Sequence, residues 1–207
     1  MAGAGSAAGR QPARDLYSGY SWDPLAPGIA ADAQDAAWLS ARGYPDSEVY
    51  FRLSVLPMAD LQALAEGGNL AAQGVYAYRL AKTGAAPAEV QSMLMRSAAN
   101  GSAYALKVAG DIYQTVPEFR DPVMAMAYYG LMASEGDQSG FAQGYLFGQG
   151  MLADDRLRSR IIEEQLRAEL AALKRRASSR PSVVPSQRPG YQAFLQAAAR
   201  PGEAGRE

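Results

Sequence analysis

The chain has 207 residues, 48% of them apolar and 20% charged, an ordinary globular balance that allows one sizeable domain with tails. Twenty basic residues against twenty-one acidic ones give a net charge of -1, which excludes the strong positive field of a nucleic-acid binder. Cysteine and histidine are both absent, so disulfides, thiolate nucleophiles, Cys/His zinc sites, histidine bases and Ser-His-Asp triads are excluded, leaving carboxylate, lysine, tyrosine or hydroxyl chemistry.

Residues 1–30 are rich in Gly, Ala and Pro and read as a flexible leader. The opening MAGAGSAAGRQPARD lacks the apolar core of a secretory signal. The compartment stays open: cytoplasmic for a complete chain, periplasmic for one whose signal was removed. A helical pattern begins near Ala31, with Ala33, Ala37 and Trp38 on one side, and closes at Gly43. In SEVYFRLSVLPMADLQALAEGG, Pro57 splits the run into two helices, the second starting near Ala59.

From there the chain repeats itself. Gly68, Gly101 and Gly136 stand 33 and 35 residues apart and open similar units. GNLAAQGVYAYRL and GSAYALKVAGDIY place a small residue at offset four (Ala72, Ala105), another at nine (Ala77, Gly110) and a large one at twelve (Leu80, Tyr113). In the third unit Gly140 keeps the first small position, while Gly144, Phe147 and Gly150 fit one residue early. Between the units, Val90, Leu94 and Ala98 form one i, i+4, i+8 stripe and Ala125, Tyr129 and Ala133 the next, with Asp121 as N-cap and Pro122 in the first helical position. Each period is a pair of antiparallel helices, and stacked pairs share the core that one pair cannot bury, so the expected fold is all-α, a short α-solenoid. Its repeat domain spans 31–152, clearest over 64–150.

The motifs AANGSAYA, ASEGDQSG, AGDIY and DPVMAMAYYGLMASEG together resemble the SEL-one-like repeat family, relatives of the tetratricopeptide repeats, over about two and a half units. Ala109 stands where the family has leucine, Ala77 where it has glycine and Gly140 where it has alanine. The resemblance implies a noncatalytic scaffold that binds a protein or peptide on its concave face, as such repeats do in bacterial envelope, secretion and signalling systems.

Beyond Gly150, residues 153–180 form a long charged helix with Ile162, Leu166, Leu170 and Leu173 on one stripe, a capping helix that also offers a homodimer seam over 153–178. Residues 181–207 read as a Pro/Ser-rich linker and a short tail helix, YQAFLQAAAR, with Tyr191, Phe194 and Leu195 available for docking.

The acidic pairs Asp154-Asp155 and Glu163-Glu164 read as helix-end and solvated charges, with no third convergent ligand for a metal. Asn100-Gly101-Ser102 matches a glycosylation acceptor but fits a helix-helix turn better. No catalytic, cofactor-binding or metal-ligating residue is assigned, no cofactor is implied, and no window has the apolar length of a membrane span. At 100° per residue, offsets three, six and ten point away from the packing stripe, which makes Tyr78, Tyr104, Lys107 and Asp111 the candidate partner-binding residues of a free face. Two further functions stand beside the adaptor: a cell-envelope enzyme or binder acting on a β-lactam or peptidoglycan fragment, disfavoured because paired cysteines and a Ser-x-x-Lys motif are missing, and a structural homo-oligomer built through the C-terminal helix.

Overall fold

A computed structural model describes residue 30, residues 32–177 and residues 186–189. The expected leader over 1–29 and tail helix over 191–200 lie outside the described residues.

The described chain is all-helical. Helices α1 (Ala33–Ala41), α2 (Ser47–Val55) and α3 (Met58–Glu66) precede the regular pairs. Then come α4 (Leu70–Lys82), α5 (Pro87–Ala99), α6 (Ala103–Thr115), α7 (Pro122–Ser134) and α8 (Ser139–Gly148), followed by the long α9 (Ala153–Arg176). A 3-10 turn, Pro117–Phe119, links α6 to α7.

Local chemistry sets these boundaries. Asn69 and Ser102 each accept the backbone N–H three residues on, from Ala72 at 2.9 Å and Ala105 at 3.1 Å, capping the first helix of successive pairs. The residue before each cap is the repeat glycine, and Gly68, Gly101 and Gly136 share a left-handed conformation with φ of 90°, 102° and 110°. Each closes the preceding helix with the same long backbone bond: Asn69 N to Leu64 O, Ser102 N to Ser97 O and Asp137 N to Met132 O, at 3.1 to 3.2 Å. One turn chemistry is thus reused at the spacing seen in the sequence. Asp121 caps α7 by accepting the N–H groups of Val123 and Met124, with Pro122 opening the helix.

Helix α4 packs between α3, α5 and α6, and α6 packs between α4, α5 and α7. The expected stripes form the core: Val90, Leu94 and Ala98 from α5 are buried with Ala125 and Tyr129 from α7. Helix α9 does not stack beyond α8 as a further layer. It runs back along α7 and α5, burying Leu166 and Leu170 in the main core, with Ile162 and Leu173 at its edge.

Helix closeness comes from glycine under aromatic rings. A Cβ at Gly74 would overlap the Tyr104 ring and one at Gly110 the Tyr129 ring, so each glycine admits a ring from a neighbouring helix. Gly140 serves differently, letting α8 meet the backbone of α7 at Tyr129 and Ala133.

The two ends of the described chain are part of this packing. Ala30, expected in a flexible leader, is buried with Ala36, Trp38, Leu39 and Tyr44. Residues 186–189, expected in a linker, run against the α7–α8 turn: Arg188 N donates to Gly136 O at 2.9 Å, and Gln138 Nε2 donates to Gln187 Oε1 at 3.0 Å. The Arg188 guanidinium is buried between two carboxylates. It binds Asp35 of α1 through Nε at 2.7 Å and Nη2 at 3.0 Å, and Asp137 through Nη1 at 3.3 Å, while the Tyr44 hydroxyl donates to the other Asp137 oxygen. Burial acts to lower the pKa of Arg188, but the hydrogen bonds and charges of Asp35 and Asp137 outweigh it and hold the guanidinium above its ordinary value.

Removing one member of such a cluster strands the rest. Arg188→Ala removes the guanidinium that both buried carboxylates, Asp35 and Asp137, accept from, and is expected to cost about 3–5 kcal/mol. Urea unfolding checks this: the midpoint should fall while the slope with denaturant stays that of the parent. An unchanged midpoint would mean that the C-terminal strap contributes nothing to the fold.

Candidate functional site

The four residues expected on a free face divide. Tyr78 and Asp111 keep solvent access, and the Tyr78 hydroxyl meets Thr115 Oγ1 at 3.2 Å, bridging α4 and α6. Lys107 does not form a free surface, and the expectation for it is corrected; Tyr104 is half-buried, like Tyr78 and Asp111. The Tyr104 ring lies over Gly74 and against the Tyr44 ring, centroids 5.2 Å apart, and its backbone N–H donates to Arg42 O at 3.2 Å. Lys107 is 5% exposed. The physical reason is that α6 is a central helix: α4, α5 and α7 enclose it, and the Arg42–Tyr44 segment covers its N-terminal end. A two-helix repeat leaves one face open, and these extra neighbours close most of it.

Lys107 Nζ pairs with Asp111 Oδ2 at 2.5 Å. The other carboxylate oxygen takes a hydrogen bond from the Tyr129 hydroxyl at 2.8 Å, with Gln114 Oε1 2.9 Å from the same hydroxyl. This cluster joins α6 to α7 through the Tyr129 hydroxyl and the Lys107–Asp111 pair, the geometry of a positioning network. Burial, followed by the nearby Asp111 charge and hydrogen bond, raises the pKa of the Tyr129 phenol. Burial likewise raises those of Tyr44, Tyr104, Tyr113 and Tyr128.

The acidic pairs found in the sequence do not converge. Asp154 and Asp155 sit in the first turn of α9, Asp155 paired with Arg158 at 3.3 Å, and Arg167 binds both Glu163 and Glu164 at 2.6 Å. No group of three or more acidic side chains suited to a metal ion occurs among the described residues. Asn100 and Gly101 form the α5–α6 turn, with Ser102 as the α6 cap.

A more open feature lies elsewhere. Helices α8 and α9 flank α7 and diverge, leaving a groove of about 770 Å³ between them. Gly130 and Gly144 lie in it, Phe141 and Tyr145 of α8 form one wall, and Arg156, Arg160 and Glu163 of α9 the other. Phe141 is 64% exposed, Tyr145 70% and the adjacent Leu146 68%. On α9, Leu157 and Ile161 are also exposed, on the side away from Leu166 and Leu170. Phe147, itself exposed, stacks on Tyr129 with centroids 5.7 Å apart, at the large position expected of the third unit. The sequence signal for this groove was the aromatic run FAQGYLF with its glycines. It became a site only because α9 crosses α7 instead of covering α8.

No family model matches the chain, and neither the curated proteins nor the solved structures contain a match. No helix among the described residues is long and apolar enough to cross a membrane.

Adjacent tyrosines of α7 should respond oppositely to loss of the hydroxyl. Tyr129→Phe removes a hydrogen bond to a carboxylate and is expected to cost about 1.5–3 kcal/mol. The Tyr128 hydroxyl is buried with no hydrogen-bond partner among the described groups, so Tyr128→Phe is expected to leave the urea midpoint unchanged or raise it. Alkaline pH gives a second check. The raised tyrosine pKa values mean that the neutral phenols favour the folded state: stability is complete below the unfolded value of about 10 and is lost as pH rises past it. The loss should approach roughly 1.4 kcal/mol per pH unit for each such tyrosine. Phenolate absorbance would then appear together with unfolding, and a midpoint that stays level well above pH 10 would contradict it.

Proposed function

We propose that the chain is a noncatalytic helical-repeat module that binds a protein or peptide partner, with the α8–α9 groove as its principal contact surface. The observation that carries this reading is the apolar surface of Phe141, Tyr145 and Leu146 left uncovered beside a groove large enough for side chains. Contiguous exposed aromatic and aliphatic groups at this scale mark interaction surfaces, and aromatic anchors supply most of the binding energy where they are desolvated. The resemblance to SEL-one-like repeats supports the same class of function, a bacterial adaptor or scaffold. Of the concave-face candidates, the half-buried Tyr78 and Tyr104 are a lesser contact, while Lys107 and Asp111 are engaged with each other in holding α6 in place.

Phe141 and Tyr145 are exposed, so replacing both with serine should leave the fold intact. With a partner captured from native lysate and then purified, titration calorimetry should show the Phe141→Ser/Tyr145→Ser chain binding at least about tenfold more weakly, a loss of about 1.4 kcal/mol. Tyr78→Ser should change the affinity much less. Equal affinity for parent and double variant would remove the groove from the reading.

A second reading, self-association through α9, is favoured by one observation: Leu157 and Ile161 are 60% and 52% exposed on successive turns of its outer side. Sedimentation of the full chain beside Leu157→Ser/Ile161→Ser separates it from partner binding. Truncation before α9 is a poorer test, because Leu166 and Leu170 belong to the core.

A further inference from the structure

The α8–α9 groove carries two rows of different chemistry in matched register. Tyr145 stands three residues before the end of α8 at Gly148, and Arg156 three residues after the start of α9 at Ala153. Phe141 and Arg160 each lie about one helical turn further from that junction, roughly 6 Å along their helices at 1.5 Å per residue. All four line the groove and are exposed. One wall thus presents two aromatic rings and the other two guanidinium groups, with the same step.

The carboxylates of the α9 wall are already engaged. Arg167 binds Glu163 and Glu164 at 2.6 Å, and the Glu163 carboxylate lies where a Cβ at Gly130 would be, against α7. Arg156 donates two N–H groups to Met151 O at 3.0 and 3.2 Å, a neutral acceptor that leaves its charge in place. The groove therefore offers a ligand a short positive stretch, Arg156 and Arg160, facing apolar surface. An extended peptide has the matching repeat, because alternate side chains point to opposite sides and those on one side recur about every 6.4–6.8 Å. Apolar residues at i and i+2 then meet Tyr145 and Phe141, while carboxylates at i+1 and i+3 meet the two guanidinium groups in charge-assisted hydrogen bonds. A nucleic-acid strand suits the groove less well: its phosphates would run on past Arg160 to Glu163 and Glu164, which with Arg167 make a net negative trio. A membrane surface does not follow a concave seat.

We propose that the α8–α9 groove recognises an extended peptide segment of alternating apolar and acidic residues, its apolar side chains seated on Phe141 and Tyr145 and its carboxylates on Arg156 and Arg160. This assignment rests on the reading of the groove as the partner surface and adds the chemistry of the partner. The aromatic wall supplies affinity through desolvation, and the two arginines set the register and the choice of sequence.

Selection from a displayed library of random short peptides on the immobilised full chain tests the chemistry without a natural partner. The parent should enrich sequences in which Leu, Ile, Phe or Trp alternates with Asp or Glu. A synthetic peptide of that pattern should bind Arg156→Glu/Arg160→Glu at least about tenfold more weakly in titration calorimetry, and selection on that variant should enrich Lys and Arg instead of acids. Both arginines are exposed, so the fold should persist, and Arg156→Gln/Arg160→Gln, which adds no charge beside Glu163 and Glu164, should lose the acidic preference without inverting it. Apolar sequences without the alternating acids overturn the proposal, as does a library that yields no peptide or only peptides indifferent to both arginine variants. Arginine-dependent binding of phosphatidylserine vesicles or of a single-stranded oligonucleotide in place of peptide gives the groove to another ligand class and overturns it equally. The calorimetric test with Phe141→Ser/Tyr145→Ser decides separately whether the groove binds a partner at all.

Discussion

The close contact of ring on glycine sets the spacing on which the rest of this structure depends. With Tyr104 over Gly74 and Tyr129 over Gly110, neighbouring helices approach until side chains from four elements share one core. Helix α6 is drawn so far inward that even Lys107 is enclosed, and its charge is tolerable only because Asp111 stands one turn away and is itself held by the Tyr129 hydroxyl. The same ring that fits over Gly110 therefore also supplies the hydrogen bond that orders the buried ion pair. Packing and polar satisfaction are met by one residue, which binds α6 to α7 in both ways.

Electrostatics closes what packing leaves loose. Helix α1 contributes a small cluster around Trp38, Leu39 and Tyr44, modest apolar burial for an element that reaches across the repeats. Its attachment is reinforced by Asp35, which meets an arginine 153 positions later in the chain, and by Tyr44, which donates to Asp137. The Arg42 guanidinium also lies 5.5 Å from the Trp38 ring centroid. The fork of Arg188 fits one carboxylate with two nitrogens and a second with the third, a geometry that lysine's single ammonium does not offer. The ends of the described chain are thus fastened beside the start of α8.

Much of this was legible because it is local or periodic. The capped glycine turns at 68, 101 and 136, the stripes of α5 and α7, the break at Pro57 and the Asp121-Pro122 start all express backbone and side-chain rules that act within one or two turns. The site was less legible. Angular position sets Ala105 and Tyr113 apart from Tyr104 and Lys107, but it counts only the neighbours that a single repeat supplies, and Lys107 is as buried as Tyr113. It could not anticipate the segment around Tyr44 lying on Tyr104, nor the enclosure of α6 by three helices. Similarly, SSRPSVVPSQRPG has linker composition, and nothing in that composition distinguishes Arg188 from the exposed arginines of α9.

The sequence by itself determined the helices, the spacing of their glycine turns, the Asp121 cap and the packing stripes of α5 and α7, because those depend on contacts between residues close in the chain. Tertiary structure alone decided which polar residues were enclosed, where α9 would lie and which glycines would be covered by a ring. Those outcomes depend on pairs such as Asp35 with Arg188 and Gly110 with Tyr129, whose partners are chosen by the three-dimensional path of the chain. The path of α9 is the deciding case: its leucine stripe follows from sequence, but only its course across α7 and α5 leaves Phe141, Tyr145 and Gly144 open beside α8.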